Sequence, residues 1–401
     1  MRILQLCNKP PCPPIDGGSK AMHNLTCGLL DQGHSVKVLC ISTPKQPLDL
    51  RQVPEEHAER TRMEGVFVDT SVNIVDAFTD IITADNYNIS RFFSPDMDIR
   101  LIRLLSDEQF DIIQLESLFM TPYIPTIRRY STARIVLRSH NLEHVIQDRI
   151  ATGERNFLKR PYRRFLAKQL QTYEMEVLNR VDGVAAISPT DTAHFVEHCT
   201  NTPVVTIPFG VDPQQYPFDG ERRAVPPSFF HLGSMDWLPN EEGVRWILNS
   251  VWPKVMKKRP HARLNLAGNK MPQDLLEGNF EGVKIKGRVK NAMTYMAANQ
   301  VMVVPLFSAG GMRVKIIEGM AMGKAIIATP IGAEGIAHTD GRNIILARTI
   351  PEFTDAIIAL VDEPERSLAL GLEARKLVLS HYANERIVSD LTAFYKRLMK
   401  G

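Results

Sequence analysis

The stretch AGGMRVKIIEGMAMGKAIIATPIGAEG, Ala309 to Gly335, places a glycine turn, a helix and a buried strand one after another. Gly310 and Gly311 permit a tight turn with exposed backbone N–H groups, and a helix beginning near Met312 adds the positive end of its dipole. Arg313 and Lys315 bring formal positive charge to the same place. This is the chemistry of an anion site, a phosphate above all. Glu318 lies roughly two turns into the helix. Its neighbours Ile316, Ile317, Met320, Ala321 and Met322 are apolar, so a carboxylate among them needs a partner. Either Arg313 and Lys315 satisfy it as an ion pair, or it meets a hydroxyl-rich group such as a ribose.

Working outward, the strand that closes this stretch belongs to a repeated alternation of short apolar runs and helical patterns. In the first half the strand runs fall at 2–7, 36–41, 111–115, 134–137, 183–187 and 204–207, with helices at 18–32 and 156–179. That alternation predicts a parallel sheet. Residues 42–110 lack clean periodicity and read as an insertion. Five prolines and two glycines between Ile207 and Phe230 mark a linker. The alternation then restarts, with strands at 229–232, 263–267, 283–285, 301–304 and 325–328, and helices fill the chain after Pro351. Ile387, Leu391, Phe394, Tyr395 and Leu398 recur at helical spacing, so the last helix has a face that packs on something.

Composition supports two domains. The chain has 401 residues, 44% hydrophobic and 23% charged, enough for two sizeable cores. A net charge of +3 is too balanced to indicate nucleic-acid binding. The five cysteines form no CxxC pair and read as reduced core thiols. The N-terminus begins a strand and has no secretory apolar region, and no run approaches the roughly 20 apolar residues of a membrane span. These features place the protein in the cytoplasm, with room for peripheral contact on the inner face of a membrane. Such contact suits FLKRPYRRFLAKQL, Phe157 to Leu170, where Lys159, Arg160, Arg163, Arg164 and Lys168 alternate with apolar residues. A solvated helix face is the plainer reading of that run.

In the first half, the turn NKPPCPPIDGGSK brings Gly17 and Gly18 to the start of a helix, a second place where backbone can approach an anion. His140 follows the strand RIVL within RSHNLEH, at the carboxyl end of a sheet where α/β sites collect. Asn141, Glu143 and His144 stand beside it. His140 and His144 are four residues apart, but no third ligand presents itself and no metal is assigned.

These segments together resemble the GT-B glycosyltransferases, specifically the retaining glycosyltransferase family 4. The carriers are PPIDGGSKAMHNLTCGLLDQGHSVKVL, VDGVAAISPTD, IPFGVD, FFHLGSMDWLPNEEGVRWIL, KGRV and VVPLFSAGGMRVKIIEGMAMGKAIIATPIGAEGI, and they span nearly the whole length. The resemblance implies two Rossmann-like doubly wound domains facing a cleft: an acceptor domain at 1–210, a nucleotide-sugar donor domain at 211–380, and a helix at 381–401 returning to the first. It implies that the backbone of Arg288 and Val289 lies against the nucleobase and that Glu318 holds the donor ribose. Gly310, Gly311 and Met312 would offer N–H groups to the diphosphate or donor sugar. His140 would stand near the donor sugar and leaving group, with Gly17 and Gly18 against diphosphate and acceptor.

Two departures stand out. The family spaces two acids with seven residues between them, and here the first position is Gly310. The Arg and Lys that the family often places after the first C-domain strand are absent from GSMDWLPN, and Arg313 and Lys315 are the replacements at hand. The implied activity is metal-independent transfer of a hexosyl unit, with retention, from a nucleotide-diphosphate sugar to a carbohydrate or lipid-linked acceptor, in cell-surface polysaccharide or glycolipid synthesis. A nucleotide-sugar epimerase, a phosphorylase or a non-catalytic nucleotide-sugar-binding subunit would use the same scaffold.

Overall fold

The computed structural model describes all residues except 71–86, 154–155, 157–158, 200, 221–226, 309 and 401. It divides into two units, Met1–Gly210 with Asn384–Gly401, and Val211–Ala383. Each unit is built on one parallel sheet.

The first sheet holds β1 (Arg2–Cys7), β2 (Ser35–Ser42), β3 (Glu64–Phe67), β4 (Ile112–Glu116), β5 (Arg134–Ser139), β6 (Gly183–Ala186) and β7 (Val204–Thr206). Their order is β3-β2-β1-β4-β5-β6-β7, all parallel. The central strands are buried on both faces, which is why they read as continuous apolar runs rather than as alternation. The chain reverses direction of strand addition between β1 and β4, the place where open α/β sheets bind ligands.

Residues 71–86 lie outside the described residues; the described part of 42–110, read as an insertion, belongs to the sheet unit itself. It contains β3 and the helices Glu55–Thr61 and Pro95–Asp107. The edge strand escapes a sequence reading because it is only four residues long, begins with Glu64, and alternates between half-buried and exposed. Another helix absent from the sequence reading, Glu143–Gly153, has its first turn capped from elsewhere. Glu174 of the helix Lys159–Leu178 accepts the backbone N–H groups of Glu143 and His144, each at 3.2 Å.

The last helix, Asn384–Lys400, packs in the first unit with its apolar face against the helix Gly17–Asp31. Ile387, Val388, Leu391, Phe394, Tyr395 and Leu398 join one core cluster with Ile3, Met22 and Leu25. Each side chain so buried contributes about 1.5–3 kcal/mol. Two glycines make room for it: a Cβ on Gly28 would meet Val388 at 2.5 Å, and one on Gly183 would meet Phe394 at 2.7 Å.

The second sheet holds β8 (Ser228–Leu232), β9 (Arg263–Ala267), β10 (Val283–Ile285), β11 (Val301–Val304), β12 (Ala325–Ala328) and β13 (Ile345–Leu346). Its order, β10-β9-β8-β11-β12-β13, repeats the Rossmann arrangement, with the switch between β8 and β11. The glycine turn and the helix Val314–Ala321 follow β11 directly and lead into β12.

Candidate active site

In the second unit, the site is built where β8 and β11 diverge. Lys315, in the first turn of the helix Val314–Ala321, returns its Nζ to the carboxyl end of β8. It donates to Leu232 O at 3.2 Å and to Asn240 Oδ1 at 2.9 Å. The Asn240 amide is fixed for this purpose, since its Nδ2 donates to Ser234 O at 2.9 Å. Burial first, and the Arg313 guanidinium second, push the Lys315 ammonium down to about 7. His231 beside it is pushed down to about 3 by burial and then by Lys315. A lysine so far below its ordinary value is stabilised by any anion that arrives next to it.

Arg313 is buried and braces the turn by donating to Gly310 O, while its guanidinium lies 5.7 Å from the centre of the Trp237 ring. Gly311 has φ of 74°, the left-handed region the turn requires. The helix starts at Val314 rather than near Met312: Arg313 takes the N-cap position in extended conformation, and Met312 is buried ahead of it. Ala309 lies outside the described residues.

Glu318 is 6% exposed and accepts a hydrogen bond from the Tyr216 hydroxyl at 3.1 Å. Of the two readings for Glu318, an ion pair with Lys315 is not the one seen, because that ammonium is engaged at β8. Burial, then the Glu318 carboxylate, hold the Tyr216 phenol well above its ordinary value. Tyr216 comes from the proline-rich linker, where no side chain stood out as a site residue, and Asn240 ends GSMDWLPN, where only missing cations were noted. Arg288 and Val289 follow β10, at the same edge of the sheet but two strands out from β8. Gly287 before them has φ of 60° and accepts the Gly268 N–H at 2.8 Å.

In the first unit, Gly17 and Gly18 open the helix Gly17–Asp31. Asp16 caps it, accepting the Ser19 N–H at 2.8 Å while Ser19 Oγ accepts the Asp16 N–H at 2.9 Å. Lys9 holds both Asp16 oxygens at 2.7 Å, and a Cβ on Gly18 would meet Lys9 Nζ at 2.9 Å. So Gly18 leaves space for a lysine against the cap, a residue the sequence reading did not single out.

His140 Nε2 lies 2.7 Å from Glu116 Oε2. Glu116 ends β4 with no exposed surface. Its other oxygen accepts from Gln5 and Gln114, and Arg138 Nε lies 3.9 Å from Oε2. Thr26 and Tyr395 complete the network through Gln5 and Gln114. Burial pushes the Arg138 guanidinium below its ordinary value, with Glu116 opposing. Asn141 donates to Glu143 at 3.2 Å, and burial pushes the Glu143 carboxyl up to about 7. His144 turns away to Glu174 at 2.6 Å, so His140 and His144 serve different carboxylates and do not form a common metal pair.

A family model described as Glycosyltransferase Family 4 matches residues 15–215, and one described as Glycosyl transferases group 1 matches residues 226–363. The chain belongs to glycosyltransferase family 4. An uncharacterized 44.6 kDa protein in the cps region of Klebsiella pneumoniae is 20% identical over 404 residues, covering 97% of this chain and 98% of its own. Among solved structures, sucrose-phosphate synthase from Thermosynechococcus elongatus superposes with a TM-score of 0.73 at 16% identity, over 100% of both chains. HepE of Anabaena, solved in complex with UDP, gives 0.67 at 13% identity, over 99% of this chain and 100% of that one. The likeness to these structures is one of fold, and the fold of this family 4 chain is GT-B.

The basic helix of this family 4 chain is Lys159–Leu178; Phe157 and Leu158 of the expected segment lie outside the described residues. Lys159, Arg160, Arg164 and Lys168 are exposed, Arg163 is half-buried, and Tyr162 and Phe165 are 42% and 46% exposed. Among the described residues, no helix is long and apolar enough to cross a membrane.

Proposed function

We propose that the protein transfers a hexosyl unit from a nucleoside-diphosphate sugar to an acceptor hydroxyl, with retention at the anomeric carbon and without a metal in the reaction. The observation that carries this reading is Lys315, whose depressed ammonium sits at the β8 end of the switch point. It occupies the place left without a cation by GSMDWLPN.

As the bond from the anomeric carbon to the diphosphate breaks, negative charge grows on the leaving oxygen. Lys315, protonated from solvent when the donor diphosphate binds, holds that charge, with the N–H groups of Gly311 and Met312 and the Arg313 guanidinium beside it, and the leaving phosphate oxygen takes the proton that the acceptor hydroxyl loses. Glu318, steadied by Tyr216, accepts hydrogen bonds from the donor ribose. The backbone at Arg288 and Val289 lies against the base. Gly310 in place of an acid leaves one donor-sugar hydroxyl without its family contact, which bears on the choice of sugar. In the first unit, the family 4 pattern supports His140, held by Glu116, as a catalytic residue, with Asn141 beside it, and Gly17 and Gly18 as the loop for diphosphate and acceptor.

The acceptor is a carbohydrate or lipid-linked sugar of cell-surface polysaccharide or glycolipid synthesis. The exposed basic and aromatic side chains from Lys159 to Lys168 support contact with an anionic membrane at the cytoplasmic face.

The test is thermal unfolding against a panel of nucleoside diphosphates and their sugars, followed by product analysis with the best donor. A ligand at about 100 times its Kd adds roughly 2.7 kcal/mol. Transfer with retained configuration supports the reading. A panel without one stabilising nucleotide, or an epimerised donor as the only product, overturns it.

A further inference from the structure

A second cluster of reactive side chains lies outside this site. Cys12 comes from the loop after β1, His23 and Cys27 lie one turn apart on the helix Gly17–Asp31, and His57 lies on the helix Glu55–Thr61. One donor atom from each of Cys12, His23 and His57 lies within 4.8 Å of the other two. The two imidazole centres are 4.7 Å apart. Cys12 is 1% exposed and His57 8%.

The hydrogen bonding of these rings is incomplete. Cys27 Sγ stands 3.6 Å from His23 Nε2 and 3.9 Å from His57 Nδ1. The opposite nitrogens, His23 Nδ1 and His57 Nε2, are buried without a hydrogen-bond partner. A buried polar atom left this way is costly, and here two occur together next to a buried thiol. Burial, then the neighbouring ring, push His23 down to about 4; burial, then Arg60, push His57 down, with Glu56 opposing. Burial raises the Cys12 thiol, and burial followed by Asp31 raises Cys27 to about 11, with Arg60 opposing.

We propose that Cys12, His23 and His57 bind one zinc-class divalent cation, with Cys27 holding the far side of both rings and water in the fourth position. The donor set decides the class: one sulfur and two imidazole nitrogens suit zinc rather than calcium or magnesium, which take oxygen ligands. Cys27 stands where outer partners of metal-bound histidines stand, fixing ring orientation and tautomer. Bond lengths of about 2.0–2.1 Å to nitrogen and 2.3 Å to sulfur place tetrahedral donors about 3.3–3.6 Å apart, so the cluster closes through small side-chain rotations. Binding converts the Cys12 thiol to thiolate and releases one proton to solvent. The ion would clamp the loop that precedes Gly17 and Gly18 to two helices. It takes no part in the transfer reaction, and the proposal does not rest on that reaction.

The test uses the untagged full chain, purified without chelators from zinc-supplemented culture. One zinc per chain is expected, and cobalt added to metal-free protein should give tetrahedral d–d absorption with a thiolate-to-metal charge-transfer band. Cys12→Ser should abolish that band and weaken binding at least tenfold. His198→Ala serves as the control, because His194, Glu197 and His198 form the other grouping of metal-capable side chains among the described residues. It should change neither band nor stoichiometry. Zinc-free protein that binds no cobalt, cobalt bound without the thiolate band, or an ion lost in His198→Ala but kept in Cys12→Ser would each overturn the proposal. If Cys12→Ser does not fold, the zinc content and cobalt spectrum of the unaltered chain still decide.

Discussion

Replacing Lys315 by methionine should make the protein more stable near neutral pH while abolishing donor binding. Lysine titrates at 10.5 in the unfolded chain and at about 7 in the folded one. Between those values the unfolded state binds the extra proton, so native stability rises with pH through this window, and the penalty is complete below about 7. At 1.36 kcal/mol per pKa unit the penalty is roughly 4–5 kcal/mol at pH 6.5 and roughly 1.5 kcal/mol at pH 9.5. These are upper bounds, since the side chain is only partly buried. Methionine removes the penalty but also two hydrogen bonds, to Leu232 and Asn240, of about 1 kcal/mol each. The expected net gain is about 2–3 kcal/mol at pH 6.5, vanishing or reversing by pH 9.5. All three tryptophans, Trp237, Trp246 and Trp252, belong to the second unit, so urea unfolding followed by their fluorescence reports this unit alone. The same lysine makes donor affinity of the unaltered protein fall about tenfold per pH unit above about 7, read with a nucleotide sugar whose diphosphate does not titrate there. A Lys315→Met protein that is less stable at pH 6.5, or whose stability change is the same at both pH values, would refute the reasoning.

Other perturbations separate the remaining roles. Glu318→Gln should weaken nucleoside-diphosphate binding about 10- to 100-fold, the worth of a hydrogen bond to a charged group, while leaving inorganic pyrophosphate affinity unchanged; calorimetric loss of both would remove the ribose assignment. Glu116→Gln should cost about 3–5 kcal/mol, because it strips the buried Arg138 of its carboxylate, whereas His140→Ala should change stability by less than about 1 kcal/mol and stop turnover. Denaturant titration and steady-state rates read the two effects apart, and an active His140→Ala protein argues against the assigned role. Neutralising Lys159, Arg160, Arg164 and Lys168 should remove flotation with anionic vesicles, at about 1 kcal/mol per charge. Equal flotation before and after would assign that face to solvent.

The sequence by itself determined the two parallel sheets. Runs such as RILQLC and VMVV are buried on both faces, and a continuous apolar run bounded by turns leaves little else for a chain to do. It also marked the glycine turn, Glu318 and His140, because glycines, an acid in an apolar helix, and a histidine after a strand are unusual residues for their surroundings. It misread places where the partner comes from far away. The helix Glu143–Gly153 begins on a cap supplied by Glu174, and β3 exists only because β2 offers it an edge.

The tertiary structure decided who pairs with whom. Lys315 and Glu318 sit three positions apart on one helix, and spacing alone makes them neighbours. Packing sends Lys315 to β8, 83 residues back along the chain, and gives Glu318 the hydroxyl of Tyr216, 102 residues back. In the same way His140 finds Glu116 and His57 finds His23. Periodicity reports which face of an element is buried, since that depends on each side chain alone. The partner of a buried polar group depends on which strands become neighbours, and only the folded sheet fixes that.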